Sequence, residues 1–279
     1  MQSVRTNRHI SKILIYVLLI LGVVIWMIPF ITSIMTSFRS NDEIMTYGFL
    51  SLPKTLKFDS FVAAWQRGNL KQYLPNSFII TVPSLVLTLF LSTLSAFALA
   101  KYKFKGRNVI LGIFVGGMML PFQILLLPVF RLTEAFGIYD SYWALIGIHT
   151  AFQLGFCTFV LRNYMVTIPD SVSEAARIDG CNDFTIYSKI IMPLVIPAMA
   201  AVATLEFTWI FNDYIWALIL LRSEKLMPVT AGLAKLQGQY VMDWTVITAG
   251  ALLAAIPTII IFVALQRYFI QGLTMGSNK

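Results

Sequence analysis

Residues 171–193 read Ser-Val-Ser-Glu-Ala-Ala-Arg-Ile-Asp-Gly-Cys-Asn-Asp-Phe-Thr-Ile-Tyr-Ser-Lys-Ile-Ile-Met-Pro. They form a charged segment between two long apolar ones. Its first part predicts a helix of about two to three turns. Ser171 and Glu174 have the three-residue spacing of a capping box, which starts a helix. Gly180 stands where a left-handed residue commonly ends one. The segment therefore predicts a short polar helix followed by a sharp turn.

A second helix is predicted after this turn. Asn182 or Asp183 can cap its first backbone N–H groups, since short polar side chains are the preferred caps. We expect this helix to end before Pro193, because proline lacks the N–H group that a helix interior needs. The charged segment is thus expected to form two helices joined by a turn.

The composition of the chain is that of a membrane protein. Of its 279 residues, 58% are hydrophobic and 12% are charged, whereas soluble domains contain about 25% charged residues. A helix needs about 20 mostly apolar residues to cross a bilayer. Continuous apolar runs, unlike the alternating strands of a barrel, occur at residues 13–38, 77–100, 109–130, 142–161, 194–220 and 246–266. The predicted fold class is all-α, a polytopic membrane protein with six transmembrane helices.

The short loops predict the orientation of these helices. The loop 101–108 contains four cations and no acid, whereas the loop 131–141 contains one cation and two acids. Cytoplasmic loops have an excess of Lys and Arg, so 101–108 is predicted to be cytoplasmic, together with both termini. Cationic loops beside an anionic leaflet also explain the net charge of +8 without a nucleic-acid partner.

We predict a single transmembrane domain, residues 13–279, which follows a short basic cytoplasmic tail, residues 1–12. The charged segment lies in a cytoplasmic loop, residues 162–193. The longest outer loop, residues 39–76, contains an aromatic patch that can support a short helix on the membrane surface. The patch consists of Phe58, Phe61 and Trp65.

The third apolar run is predicted to be kinked. It contains Gln123 between Pro121 and Pro128. Proline removes a backbone hydrogen bond, and in a membrane the freed carbonyl groups are satisfied by neighbouring helices.

The charged segment resembles the EAA signature of permease subunits of binding-protein-dependent ABC importers. The matching residues are Glu174, Ala175, Ala176, Gly180, Ile190 and Pro193. The leucine that usually precedes the proline is replaced by Met192, a change between apolar residues of similar volume. The resemblance implies the architecture of a type I ABC importer permease, in which the short helix is a coupling helix that docks on an ATP-hydrolysing subunit.

Other segments are similar to the carbohydrate branch of that family, and most closely to the six-span member of the maltose-type permease pair. They are residues 100–107, 211–216, 249–250, 256–257 and 266–274. This resemblance implies an importer of sugars or oligosaccharides in a bacterial or archaeal cell membrane. The implied partners are a second homologous permease, two ATP-binding subunits, an extracytoplasmic solute-binding protein, the sugar and membrane lipid.

The resemblance also implies where the energy is supplied. The ATPase-coupling residues would be Glu174, Ala175, Ala176, Arg177 and Gly180, with the glutamate contacting the ATPase and the glycine allowing the turn. ATP and Mg²⁺ would be bound by the partner ATPase subunits, and the sequence lacks the G-x-x-x-x-G-K-[ST] phosphate loop. We expect no cofactor, metal site or catalytic residue in this chain, which would be a non-catalytic transport subunit.

The fifth apolar run contains acids, which are costly inside a membrane and face protein or water. Glu206, Trp209, Asp213 and Trp216 are spaced to form one stripe of a helix. Carboxylates, the Asn212 amide and indole rings suit sugar hydroxyl groups and the C–H faces of a pyranose. The stripe is a predicted substrate path. Alternatively, Asp213 and Trp216 lie at the outer interface and Glu206 bonds a neighbouring helix.

A second functional hypothesis is a proton-coupled secondary transporter that uses Glu206, Asp213 and His149. Such carriers commonly have internal repeats, and the sequence shows no clear repeat. A membrane enzyme is disfavoured, because neither a Ser/His/Asp set nor a metal-ligand set is present. The leading hypothesis therefore stays the ATP-driven importer subunit.

Overall fold

The protein is described by a computed structural model that covers residues 2–236 and 243–274. All regular elements within these residues are helices. In chain order they are α1 (Gln2–Ser37), α2 (Asn41–Tyr47), α3 (Asp59–Gln66), α4 (Leu70–Lys101), α5 (Arg107–Met118), α6 (Phe122–Ala135), α7 (Tyr142–Thr167), α8 (Asp170–Ile178), α9 (Asp183–Thr185), a π turn (Ile186–Ile191), α10 (Met192–Phe211), α11 (Ile215–Leu220), a 3-10 turn (Glu224–Leu226), α12 (Val229–Lys235) and α13 (Trp244–Thr274).

Five helical segments are long and apolar enough to cross a membrane, and the bent pair α5–α6 makes a sixth if it counts as one span. The five are Lys12–Ser37, Leu70–Lys101, Tyr142–Thr167, Asp183–Phe211 and Trp244–Tyr268. The apolar runs therefore predict the spans, but not all of their limits. The fourth apolar run lies in α7, which continues to Thr167. The loop that contains the charged segment is therefore shorter than the predicted 162–193.

The third span is broken rather than kinked. The axes of α5 and α6 differ by 100°. Pro121 precedes α6 in an extended conformation, with φ −61° and ψ 123°. Proline has no N–H group, and its ring disfavours the helical conformation of the preceding residue. The sequence locates the bend correctly but underestimates its size.

The chain divides into two compact units. One contains α1–α3 and Leu233–Leu253, and the other contains Lys71–Gly232 and the rest of the final helix. In the second unit, α4, α7, α8, the π turn and α10 share one apolar core. Its buried members include Phe97, Leu161, Met165, Ala176, Ile186, Ile191 and Val195. This core holds α8 at one end of the long helices.

In the first unit, Phe58 and Phe61 of the predicted aromatic patch pack against Phe38, whereas Trp65 is not part of this ring cluster. The ring of Phe38 lies 5.3 Å from that of Phe58 and 5.0 Å from that of Phe61. α3 contains Phe61 and Trp65, so the predicted short helix is present. Edge and tilted contacts of this kind add to the burial of the rings.

Arg39 organises the segment that follows α1, and no sequence pattern marks it. Its side chain is fully buried. One guanidinium nitrogen donates to the carbonyl of Gly48 at 2.9 Å, and the other donates to that of Glu43 at 3.0 Å and to Ser51 Oγ at 2.6 Å. The Glu43 carboxylate is 3.5 Å from Arg39 Nε and accepts from the Lys54 backbone N–H. The rigid fork of donors thus ties α2 to the irregular segment that follows it.

Candidate functional site

The charged helix α8 is held at its first residue, Asp170, by a side chain of α4. Lys101, the last residue of α4, donates to the carbonyl of Ile168 at 2.5 Å and to Asp170 Oδ1 at 2.9 Å. This hydrogen bond from Lys101 holds the pKa of the Asp170 carboxyl below its ordinary value. A negative charge in the first turn also suits the helix dipole. The end of α4 and the start of α8 are therefore linked directly.

The predicted capping box is wrong. α8 begins at Asp170, and the residue that precedes it is Pro169, without a side-chain cap. Ser171 consequently lies inside the first turn and not before it. The start of α8 is fixed instead by Pro169, which precedes the helix, and by the contact with Lys101. Neither feature uses the Ser171 hydroxyl group.

The end of α8 is as predicted. Gly180 has φ +83°, which L-residues with a side chain rarely adopt. The N–H of Gly180 bonds the carbonyl of Arg177 at 3.0 Å, and that of Cys181 bonds Ala176 at 2.9 Å. These two bonds form a Schellman motif. Asn182 then caps the next helix, because its side chain accepts from the Thr185 N–H at 2.8 Å.

The two faces of α8 differ. Ser173 and Ala176 are buried, whereas Glu174, Ala175 and Arg177 are exposed. The resemblance implies that Ala175 and Ala176 are both coupling residues, but consecutive helical residues are about 100° apart, and the two alanines face different ways. Ala176 packs into the shared core, and only Ala175 is available to a partner.

Two large apolar residues extend the exposed surface. Ile178 is 87% exposed at the end of α8, and Phe184 is 72% exposed just after the turn. Neither residue belongs to the signature that the charged segment matches. The available signal was an isoleucine and a phenylalanine on either side of a glycine turn in a polar loop. Exposed apolar residues grouped with charges mark an interaction surface.

The two exposed charged side chains of α8, Glu174 and Arg177, differ in their partners. Arg177 Nη2 lies 3.2 Å from Asp183 Oδ1, and its guanidinium is 5.5 Å from the centre of the Tyr102 ring. Glu174 forms no ion pair within residues 2–236 and 243–274. Arg177 thus closes the turn between the two helices, while the Glu174 carboxylate is free to meet an external group.

The helix after the turn does not end before Pro193. It runs continuously from Asp183 to Phe211, and Pro193 lies in the first turn of α10. The preceding turn is a π turn, whose wider backbone accommodates the missing N–H group. Tyr187 of that turn bonds Thr93 of α4 through the two hydroxyl oxygens, 2.8 Å apart.

The predicted helical stripe in the fifth span is also wrong, because the helix stops at Phe211. Within α10, Glu206 is fully buried and accepts from Cys157 Sγ at 3.2 Å, whereas Trp209 is 48% exposed. Trp216 belongs to the separate helix α11 and is buried. The five predicted path residues therefore do not share one surface.

Asp213 has a structural task at this break. Its carboxylate accepts from the backbone N–H of Trp216 at 3.3 Å and of Ala217 at 3.1 Å, which caps α11. Its carbonyl accepts from the Thr230 hydroxyl. His149 Nε2 lies 3.7 Å from its carboxylate. Asp213 consequently joins α7, α11 and α12.

Asp213→Ala is expected to destabilise the protein by about 1 kcal/mol, because it leaves the first N–H groups of α11 without a cap. Asp213→Asn retains an acceptor oxygen and should stay close to the wild type in stability. Thermal unfolding in detergent measures both variants. Equal loss of stability by the alanine and asparagine variants would show that the negative charge, and not the cap, is what α11 needs.

These features define a polytopic helical membrane protein that displays a short charged helix fastened to its core. Residues 88–275, well over half of the chain, match the family of the binding-protein-dependent transport system inner membrane component. The chain belongs to this family. The resemblance of the charged segment is thereby confirmed.

Individual relatives agree with this assignment. A probable ABC transporter permease, YurM of Bacillus subtilis, is 32% identical over 99% of this chain and 91% of its own length. The arabinooligosaccharides transport system permease AraQ of Halalkalibacterium halodurans is 35% identical over 90% of each chain. A chain of a bacterial ABC transporter involved in alginate import has the same fold, with a TM-score of 0.81 and 29% identity over 94% of this chain and 97% of that one.

The comparisons confirm the predicted type I importer architecture and the transport class. They give no support to the proton-coupled alternative with Glu206, Asp213 and His149. Its geometry is also weak, because Glu206 is hydrogen-bonded by Cys157, whereas His149 lies 3.7 Å from Asp213.

Proposed function

We propose that this protein is the membrane subunit of an ATP-driven importer of sugars or oligosaccharides. The observation that supports this most is the two-sided α8. Its inner face locks into the core through Ala176, while Glu174, Ala175 and Ile178 are displayed outward. Of the similar proteins described above, AraQ is named for arabinooligosaccharides and the solved transporter is involved in alginate import, which favours a carbohydrate cargo.

The contacts of α8 suggest how force would pass into the membrane. Lys101 ties the start of α8 to α4, and Tyr187 ties the following helix to Thr93 of α4. The turn between them is braced by the Arg177–Asp183 pair. A pull on α8 would therefore move α4 and α10 together, as required for alternating access through rigid-body rocking.

The proposal includes partners. Two ATP-binding subunits would bind ATP and Mg²⁺ and dock on α8, a second homologous permease would complete the translocation path, and an extracytoplasmic solute-binding protein would deliver the sugar. This chain would itself be non-catalytic. We place it in the bacterial or archaeal cell membrane, with both termini and residues 168–182 in the cytoplasm.

For the sugar itself, two of the five path residues are the best placed. Trp209 is 48% exposed and Asn212, three residues later at the end of α10, is also exposed. An indole face and an amide oxygen can contact the C–H face and a hydroxyl group of one pyranose. We propose that these two contact the sugar, while Glu206, Asp213 and Trp216 maintain the structure around them.

Glu174→Lys tests the coupling role. The change reverses the only exposed charge of α8 that lacks an ion pair among the described residues, so it should uncouple uptake from ATP hydrolysis while the protein still inserts. Sugar uptake and ATPase activity of the reconstituted importer are measured together. Glu134→Lys makes the same charge change at an exposed site in α6 and serves as the control. Normal coupled uptake by the Glu174 variant would contradict docking through α8.

A further inference from the structure

The loop between α4 and α5 forms a cationic cavity. Residues 103–109 line an open space of about 520 Å³. Lys103, Lys105 and Arg107 are among the lining residues, which include no acid. Phe104 and Val109 add apolar surface and are 42% and 66% exposed. The cavity therefore combines three positive charges with exposed apolar groups.

No acid is paired directly with these three cations in the part of the chain that the structure describes. The charges of Lys103 and Arg107 help to lower the pKa of Asp170, but its carboxylate is hydrogen-bonded by Lys101 and not by them. Over the described part of the chain, neither lysine nor Arg107 forms an ion pair. Arg107 Nε is buried without a hydrogen-bond partner. Converging cations repel one another, so an external anion would stabilise this arrangement.

We propose that this cavity binds the phosphate group of an anionic phospholipid. It lies where one candidate spanning helix ends, at Lys101, and the bent pair begins, at Arg107. The ends of spanning helices meet the headgroup region of the bilayer. Lys and Arg are the side chains that hold phosphate oxygens. Phe104 and Val109 offer contact to the glycerol and acyl part, which a free phosphate ion lacks.

A general excess of cations in cytoplasmic loops does not by itself create a binding site. That excess needs only a charge count near the membrane. Here the charges converge on one cavity, and one guanidinium nitrogen has no partner inside the protein. A lipid bound in this way should remain with the protein through detergent purification, whereas a diffuse layer of lipid is lost.

The test is native mass spectrometry of the full chain, purified in detergent with equal amounts of phosphatidylglycerol and phosphatidylcholine. The wild type should retain phosphatidylglycerol. The variant Lys103→Gln/Lys105→Gln/Arg107→Gln should bind it on the order of 100-fold more weakly. The control Lys71→Gln/Arg131→Gln/Arg222→Gln removes three exposed cations elsewhere and should retain it.

Equal retention by the wild type and the loop variant, or equal loss by the loop variant and the control, would overturn the proposal. If the triple variant does not fold, Lys103→Gln/Lys105→Gln changes two exposed side chains and should still weaken binding about tenfold or more. Inorganic phosphate separates the two sources of the anion. Its failure to displace the lipid supports the proposal, and complete displacement would assign the cavity to free phosphate.

Discussion

Gly180→Arg is expected to abolish uptake and ATPase binding while the protein still inserts in the membrane. Gly180 has φ +83°, and a Cβ atom placed there would meet nothing within 4 Å. The cost to the fold is therefore backbone strain of about 1–2 kcal/mol and not a clash. The arginine side chain would project from the turn beside the exposed face of α8, where the proposed ATPase docks. Co-purification with the ATPase should fall about tenfold or more.

Two control variants separate docking from strain. Gly137 has φ +67° and equally open surroundings, in the turn after α6. Gly137→Arg imposes the same kind of strain away from α8 and should keep uptake. Gly180→Asn places a residue that tolerates the left-handed conformation in the turn itself, and should behave nearly as the wild type. If both arginine variants lose uptake equally, strain is the cause and the docking role is rejected.

Arg39→Met should give the largest loss of stability, about 3 kcal/mol or more. The variant keeps apolar bulk but removes the buried cation from Glu43 and takes one donor each from the carbonyls of Glu43 and Gly48. The Gly48 carbonyl then keeps the Ser51 hydroxyl as a donor. Removing one partner of a buried pair is strongly destabilising, because the remaining groups stay desolvated. The measurements are the thermal midpoint in detergent and the rate of proteolysis within residues 40–58.

The matched control is Arg67→Met, the same substitution at an exposed arginine at the end of α3. It should change the midpoint little, as exposed substitutions commonly do. Arg39→Lys keeps the charge but replaces the planar fork by a single ammonium group, so it should fall between the two. Wild-type stability of Arg39→Met would show that the remaining donors and water satisfy these carbonyls.

Local features of the loop could be predicted because they depend on a few neighbouring residues. The left-handed turn at Gly180 and the cap at Asn182 both follow from side-chain and backbone chemistry within four residues. The start of α8 could not, because Lys101 fixes it from the end of another helix. The predicted box at Ser171 was chemically possible but was not formed.

The interior of the fifth span shows the same limit. Residues 194–220 form one apolar run, which indicates one helix. The chain breaks at 212–214 because the Asp213 side chain caps α11 and its carbonyl accepts from Thr230, 17 residues further on. These interactions replace the helical hydrogen bonds that are lost at the break. An apolar pattern contains no information about such distant partners, so the predicted stripe was wrong.

The sequence by itself determined the membrane class, the approximate spans, the bend at Pro121 and the family signature around Glu174 and Gly180, because hydropathy, proline geometry and left-handed turns act within short stretches of chain. Only the tertiary structure decided that Ala176 faces inward, that the fifth span is broken, and that Arg39 supports the segment after α1. Each of these depends on which groups meet after folding, since a buried polar or apolar group is stabilised by its actual neighbours.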